Sequence, residues 1–168
     1  MIKLHLGCGK VDLGPEWDHI DAQDYDHIRS HNVKKLPYKD STVDMIYASH
    51  LIGYFDRKEV IKVFNEWHRV LKPGGVLRIA TPDFWRLSQM YTANKLKIEM
   101  ILGPLFGRMD IGVNIYNKTA WDYPSLTRFL LTCGFTNVRR YESEIDDSSG
   151  EHLKNTLISL NVESYCAK

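Results

Sequence analysis

The pattern of apolar and polar residues along this chain predicts strands and helices that follow one another in turn. Short apolar runs, typical of strands inside a sheet, occupy residues 2–6, 17–21, 32–33, 43–48, 76–80, 135–141 and 155–162. Apolar residues recur at helical spacing in residues 57–71, 84–96 and 122–132. Strands that alternate with helices are typical of α/β proteins, whose helices cover a largely parallel sheet.

Residues with strong turn preferences mark the ends of the predicted helices. Asp56 is the predicted N-cap of helix 57–71, and Lys72-Pro73-Gly74-Gly75 ends that helix. Gly134 suits the left-handed residue that closes the helix before it. Segment 97–120 contains several Gly and Pro residues, so we predict a loop with a short helix there.

The connections between strands predict the topology of the sheet. Only ten residues, 7–16, separate the first two strands, whereas a crossover with a full helix needs at least about 10–12. The first crossover helix is therefore predicted to be reduced or absent. The acidic segment 142–151 joins the last two strands, which predicts an antiparallel C-terminal pair at one edge. We predict a single domain over residues 1–168 with a Rossmann-like, doubly wound and mostly parallel sheet.

Composition and charge exclude several classes of protein. The 168 residues carry 22 basic and 21 acidic side chains, a net charge of +1, which does not indicate the basic surface of a nucleic-acid-binding protein. No apolar run approaches the roughly 20 residues of a membrane span, and the first apolar stretch is too short for a signal peptide. The three cysteines are widely spaced, so we expect reduced thiols and a soluble cytoplasmic protein. No histidine or cysteine spacing indicates a metal site.

Three features near predicted strand ends suit the binding of a nucleoside. Gly7-Cys8-Gly9 follows the first strand, where glycines allow a sharp turn and a close approach of the backbone to a ligand. Asp21 ends the second strand, where an acid can accept hydrogen bonds from both ribose hydroxyls. Farther on, Asn32 can contact the exocyclic amine of adenine, and Leu36-Pro37-Tyr38 can form an apolar edge for the base. Taken singly, these features are also explained as a tight turn, a surface acid and a connecting loop.

The order of these features resembles that of a known family. The glycine turn, Asp21 and the Leu36-Pro37-Tyr38 loop precede the strand VDMIYASH, a helix, Lys72-Pro73-Gly74-Gly75 and the sequence TPDF. This arrangement resembles the class I S-adenosylmethionine-dependent methyltransferases, in particular the small group related to the type 11 methyltransferases. The resemblance covers most of the chain. It implies S-adenosylmethionine as the cofactor and a seven-stranded sheet with a reversed final strand.

The resemblance also implies which residues contact the cofactor. It places Gly7 and Gly9 at the methionine part, Asp21 at the ribose, Asn32 and Val33 at the adenine, and Ser49 and His50 at the reactive end. His5 and Cys8 are further candidate cofactor-binding residues. His5 stands where the family usually has an acid. It is therefore either a hydrogen-bond partner near the cofactor or a packed strand residue.

The chain departs from the family pattern at several positions. Asn32 stands where the family often has Asp, and Gly53-Tyr54 stands where many relatives carry Glu-His. The family's N-terminal lid helices are absent, which predicts an open cofactor cleft that a partner chain, such as a second copy, would complete. A dinucleotide site is the weaker interpretation of the glycine turn, because residues 7–14 lack the GxGxxG pattern.

Methyl transfer to a hydroxyl also requires a base that takes the proton of the acceptor. The first candidate is His50, because an imidazole with a pKa of about 6.5 suits proton abstraction near neutral pH. Packing or capping is the alternative role of His50. Asp83 is the second candidate and also suits the N-cap of the following helix. Tyr54 is the third candidate and also suits a packing role that closes the pocket.

Segment 103–121 combines aromatic and hydrogen-bonding side chains near the predicted active edge, where long loops are uncommon without a role. Its residues that suit a sugar or another polar hydroxyl compound are Arg108, Asp110, Asn114, Tyr116, Asn117 and Trp121. The expected function is methyl transfer to a hydroxyl of a small acceptor. Two alternatives stay open: a cofactor-binding module without catalysis, and a nucleic-acid or protein methyltransferase, for which an NPPY-type motif and a basic stripe are lacking.

Overall fold

The computed structural model describes residues 1–107 and 116–168 of the chain. Its strands are β1 (Lys3–Leu6), β2 (Trp17–Ile20), β3 (Ile28–Ser30), β4 (Val43–Ser49), β5 (Leu71–Pro82), β6 (Phe135–Arg140), β7 (His152–Leu153), β8 (Thr156–Leu157) and β9 (Ser159–Cys166). Its helices are α1 (Glu59–Val70), α2 (Phe84–Thr92), α3 (Ile98–Phe106) and α4 (Tyr123–Thr132).

Seven of the strands form one sheet in the spatial order β3-β2-β1-β4-β5-β9-β6. The strands from β3 to β5 pair in parallel, whereas β9 pairs antiparallel to both β5 and β6. The predicted mostly parallel sheet with an antiparallel C-terminal edge pair is thus confirmed. The predicted last strand, 155–162, is divided instead: β8 turns back on β7, and β9 begins at Ser159.

The connection between β1 and β2 forms turns without a helix, as the small number of its residues predicted. The next two connections, residues 21–27 and 31–42, also contain no helix. All four α-helices of the described residues therefore follow β4 along the chain. This agrees with the sequence analysis, which predicts no helix before residue 57.

The third strand lies at residues 28–30, and the prediction of a strand at 32–33 is wrong. Ile28 and Ser30 pair with β2. The side chain of Asn32 accepts hydrogen bonds from the backbone N–H groups of Lys34 and Lys35, at 2.9 and 3.2 Å. This local pairing turns the backbone, which is a common role of Asn side chains.

The main hydrophobic core lies on the face of the sheet that α1 and α4 cover. Alternate strand residues such as Leu4 and Ile46 point into it, as the period of two in a strand requires. Phe64 of α1 contacts Phe129 of α4 with ring centroids 4.9 Å apart. Trp67 of α1 is fully buried, and its indole N–H donates to the Val33 carbonyl at 2.9 Å. The indole therefore anchors the helix-free connection 31–42 to the core.

The helix boundaries differ from the predicted ones by a few residues. Asp56 accepts hydrogen bonds from the Lys58 and Glu59 backbone N–H groups at 2.8 Å each, so it closes the turn that leads into α1, whereas the N-cap residue of the helix is Lys58 rather than the predicted Asp56. The chain after α1 continues directly into β5 at Leu71, so residues 72–75 belong to the strand rather than to a loop. Predicted helix 84–96 ends already at residue 92, and the short helix predicted within 97–120 is α3.

The opposite face of the sheet carries several buried polar side chains. His5 of β1 lies between His19 of β2 and Tyr47 of β4, with ring-centroid distances of 5.5 and 5.2 Å. His5 is 1% exposed, and its Nδ1 has no hydrogen-bond partner among the described residues. Burial, and next the imidazole of His19, lower the pKa of His5 to about 4.

This buried imidazole predicts a loss of stability in acid. Because the pKa of His5 falls from 6.5 when unfolded to about 4 when folded, only the unfolded chain takes up this proton between these two values. His5 therefore lowers the free energy of unfolding as the pH falls below 6.5, by roughly 2 kcal/mol at pH 4.5. We expect His5→Phe to remove this part of the pH dependence in urea unfolding, whereas the exposed His152→Gln retains it. An unchanged difference between pH 7 and pH 4.5 in His5→Phe would contradict the assignment.

Candidate active site

Two neighbouring cavities lie where the parallel strands end. The first, the Asp21 cavity, has a volume of about 490 Å³. The second, the His50 cavity, has a volume of about 620 Å³ and contains no part of the β2 end. Gly7, Gly9 and Tyr54 line both cavities, so a single extended ligand can occupy the two. This position is the usual ligand edge of an open α/β sheet.

The turn after β1 requires glycine at two positions. Gly7 and Gly9 have φ angles of +66° and +53°, a region that residues with a Cβ atom adopt rarely. A Cβ atom on Gly7 would lie 2.7 Å from Cδ1 of Leu51, whereas one on Gly9 would meet no atom within 4 Å. The backbone at Gly9 therefore faces open space, where a ligand can approach it closely.

The carboxylate of Asp21 holds this turn against the end of β2. Its Oδ2 accepts the backbone N–H of Gly9 at 2.9 Å, and its Oδ1 accepts the backbone N–H of Gln23 at 2.8 Å. A carboxylate has about four acceptor positions, so it retains capacity for two ligand hydroxyls. Asp21 also lines its cavity, beside the apolar side chains of Val33 and Leu51. A ribose with an attached flat base suits this combination.

The His50 cavity is more polar. Ser49 and His50 follow one another at the end of β4, and the Ser49 hydroxyl lies 2.9 Å from that of Ser148. His50 has a φ of +50°, and its backbone N–H donates to the Ala80 carbonyl at 2.8 Å. Such a φ is uncommon for a residue with a side chain and occurs often at functional sites.

Comparisons with known proteins agree with this geometry. The Methyltransf_11 family model, described as a methyltransferase domain, matches residues 10–79. A probable methyltransferase, ltbC, of Aspergillus luteorubrus is 43% identical over 49 residues, which are 29% of this chain and 16% of that protein. The demethylmenaquinone methyltransferase of Chlorobaculum parvum is 23% identical over 145 residues, which are 82% of this chain and 59% of that protein. A solved Methanosarcina mazei structure, titled a SAM-dependent methyltransferase, has a TM-score of 0.63 at 19% identity and covers 99% of this chain and 92% of that one.

Residues 10–79, less than half of the chain, thus match a methyltransferase domain, and the chain has the fold of solved S-adenosylmethionine-dependent methyltransferases. It spans less than two thirds of the length of the two curated relatives, 16% of one and 59% of the other. The identity to the solved structure is below the level that transfers function, so that likeness concerns the fold alone.

The residues that line the two cavities suit S-adenosylmethionine, the cofactor of the methyltransferases with this fold. The glycine turn leaves open space beside Gly9, and Asp21 retains acceptor capacity at the expected position of the ribose. Val33 and Leu51 line the same cavity with apolar side chains, as the binding of an adenine would require. Tyr54 lines both cavities, so a ligand that extends from the Asp21 cavity into the His50 cavity would pass beside it.

Three of the residues that were predicted to bind the cofactor do not line either cavity. His5 is packed within the sheet, which is the second of the two roles expected for it. Cys8 is 5% exposed, and burial, followed by the charge of Asp21, raises the pKa of its thiol to about 12. Asn32 is exposed and accepts hydrogen bonds within its own loop.

The predicted apolar edge 36–38 also turns away from the cavities. Leu36 is buried in the main core, and the Tyr38 hydroxyl donates to Asp18 at 2.7 Å.

Asp83 does not reach the His50 cavity either. Its side chain is buried, accepts the Arg86 backbone N–H at 3.3 Å and lies 3.4 Å from the Arg140 guanidinium. It is the N-cap of α2, which was its alternative role. A capping carboxylate paired with an arginine stabilises the helix start rather than taking a proton from a ligand.

The predicted acceptor segment is placed only in part. Asn117 lines the His50 cavity, whereas Trp121 packs in the main core and Tyr116 is exposed. Arg108, Asp110 and Asn114 lie outside the described residues. Gly53, which departs from the family pattern, lies against Asn117: a Cβ atom there would be 2.5 Å from the Asn117 Oδ1. The glycine thus permits the close approach of this segment.

One wall of the His50 cavity consists of residues that were not predicted from the sequence. The residues that form it, Asp147, Ser148 and Glu151, belong to the acidic segment 142–151. That segment was interpreted only as the connection of the last two strands. Its signal was the concentration of acidic and hydroxyl side chains directly before a strand that reaches the ligand edge.

The described residues contain no group of three His, Cys, Asp or Glu side chains arranged to hold a metal ion. Within the same ranges, the helices are all too short or too polar to cross a membrane.

The geometry predicts that Asp21 supports cofactor affinity. An amide oxygen replaces only one of the two carboxylate oxygens, so Asp21→Asn loses charge-assisted hydrogen bonds to the ribose. We expect the affinity for S-adenosylhomocysteine, measured by calorimetry, to fall about tenfold or more. The exposed Asp24→Asn on the same connection is the matched control. Equal affinities of the two variants, with both folded by circular dichroism, would contradict the ribose role.

Proposed function

We propose that this domain transfers a methyl group from S-adenosylmethionine to a hydroxyl of a small polar acceptor, such as a sugar. The observation that carries the proposal is the junction of the two cavities at Gly7, Gly9 and Tyr54. A nucleoside held at Asp21 then directs its reactive end toward Ser49 and His50.

The cofactor supplies an electrophilic methyl group on a sulfonium, and the electron pair of the broken carbon–sulfur bond stays on sulfur. The residues of this chain must hold the acceptor in line with that bond, because correct alignment of the reacting atoms lowers the activation barrier. Tyr54 lines both cavities and suits this alignment. His50 accepts the proton that the acceptor hydroxyl loses as its oxygen binds the methyl carbon.

The composition of the His50 cavity supports a hydroxylated acceptor. Its described lining includes Asn117, Asp147 and Ser148, which together supply several hydrogen-bond acceptors and donors. A compound with several hydroxyl groups can satisfy these side chains, whereas an apolar acceptor would leave them unpaired.

The state of the cysteines supports a reducing compartment such as the cytoplasm. Cys8, Cys133 and Cys166 are buried free thiols, and burial raises the pKa of each of them. Thiols of this kind react slowly and need no oxidising environment.

The proposed function is tested in two steps. Calorimetry with S-adenosylhomocysteine measures cofactor binding, and a screen with labelled S-adenosylmethionine over sugars, small hydroxy compounds and amines measures transfer. We expect binding together with transfer to a hydroxyl compound. Binding without transfer to any acceptor would favour the non-catalytic module, and transfer only to amines would overturn the assignment of a hydroxyl. The absence of binding would overturn the proposal as a whole.

The role of His50 predicts a specific kinetic defect. Gln cannot accept the proton, so His50→Gln is expected to lower kcat for the best hydroxyl acceptor by about 100-fold or more. The affinity for S-adenosylhomocysteine should change little, because the imidazole acts on the acceptor. His68→Gln, whose imidazole bonds the Ala167 carbonyl away from both cavities, is the control. Full turnover of His50→Gln would remove His50 from the mechanism.

A further inference from the structure

The imidazole of His50 is held from both sides. Its Nε2 lies 3.2 Å from the hydroxyl of Ser159, and its Nδ1 lies 3.5 Å from Oε2 of Glu151. Ser159 is 4% exposed, and its hydroxyl donates to Oδ1 of Asn161 at 3.0 Å. Asn161 is 5% exposed, and its Nδ2 donates to the Ser149 carbonyl at 3.0 Å. A continuous set of buried hydrogen bonds therefore leads from Ser149 to His50.

These hydrogen bonds determine which atom of each side chain donates its hydrogen. Since the amide nitrogen of Asn161 donates to a carbonyl, its Oδ1 faces Ser159 and must accept a hydrogen bond. The Ser159 hydroxyl has one hydrogen, which this bond uses. Its oxygen can then only accept from Nε2 of His50. The neutral imidazole therefore carries its hydrogen on Nε2 and its lone pair on Nδ1.

On the other side of the ring, Nδ1 of His50 faces a carboxylate. An ionised Glu151 can only accept hydrogen bonds, so it favours the state in which Nδ1 of His50 is protonated. Glu151 is 27% exposed at its side chain and lines the same cavity as His50. The other charged group among the described residues that line this cavity is Asp147. Its two carboxylate oxygens accept the Tyr47 hydroxyl and the Ser149 backbone N–H at 2.6 and 2.7 Å.

We propose that Ser159, Asn161 and Glu151 are positioning residues that make Nδ1 of His50 the proton-accepting atom. The buried Ser159–Asn161 pair places the imidazole hydrogen on Nε2. When the acceptor oxygen binds the methyl carbon, its proton moves to Nδ1, and Glu151 stabilises the resulting imidazolium. The proton then passes to solvent, and the neutral imidazole returns. This inference rests on the proposed function, but the state of the imidazole can be measured without turnover.

The tautomer is tested by nuclear magnetic resonance of 15N-labelled histidine in the whole chain. His50→Gln identifies the His50 signals by their absence. We expect neutral His50 in the unmodified chain to be protonated at Nε2, and Ser159→Ala to yield a mixture of the two tautomers. Ser164→Ala is the matched control, because Ser164 is a fully buried serine on the same strand whose hydroxyl has no partner among the described residues. Protonation at Nδ1 in the unmodified chain would overturn the proposal.

The role of Glu151 is tested by titration and kinetics. Removal of its charge makes the imidazolium less stable, so Glu151→Gln should lower the pKa of His50, read from the same spectra, by about one unit. The acidic limb of the kcat profile for the hydroxyl acceptor should move to lower pH by the same amount, with kcat reduced about tenfold and KM little changed. The exposed Glu144→Gln on the same segment is the control.

The outcomes separate this inference from the proposed function. A chain that binds S-adenosylhomocysteine but transfers no methyl group loses the proposed function, whatever the tautomer of His50. Conversely, normal transfer with an unshifted His50 pKa in Glu151→Gln, or an unchanged tautomer in Ser159→Ala, overturns the positioning roles alone.

Discussion

The strand β1 pairs in parallel with β2 on one side and with β4 on the other, and this pairing brings together the glycine turn, Asp21 and the end of β4. Parallel strands end at the same edge of a sheet, so Gly7, Asp21 and Ser49 meet there although they are far apart in sequence. The hydrogen bond from Gly9 to Asp21 then fixes the turn across the ends of β1 and β2. Loss of this register would separate the two cavities and remove the shared wall at the glycine turn.

Because the first three connections contain no helix, the two faces of the sheet are covered differently. One face is covered by α1 and α4 around an apolar core, whereas the other carries His5, His19 and Tyr47. Part of that face is covered by the acidic segment 142–151, whose Asp147 accepts the Tyr47 hydroxyl. The same segment supplies Ser148 and Glu151 to the His50 cavity. A segment that shields polar strand residues thus also forms a wall of the candidate active site.

Local rules predicted the parts of the site that depend on a single strand end. Gly7, Gly9 and Asp21 line a cavity because a glycine turn and an acid directly after parallel strands lie at the edge of the sheet where ligands bind. The same rules were insufficient for Asn32 and Asp83. Both are side chains that can bond to nearby backbone N–H groups, and in the folded chain they do so rather than face a ligand. Cys8, between the two glycines, is buried because the turn directs its side chain inward.

The sequence by itself determined the class of fold, the shortened first connection and the ligand edge of the sheet, because these follow from periodicity, segment length and glycine conformation. Only the tertiary structure decided which groups surround His50. Ser159 is 109 residues away along the chain, and Glu151 comes from a segment with no regular periodicity. The antiparallel insertion of β9 beside β5 brings them to the end of β4, and no local pattern around His50 encodes a contact made across the intervening strand β5.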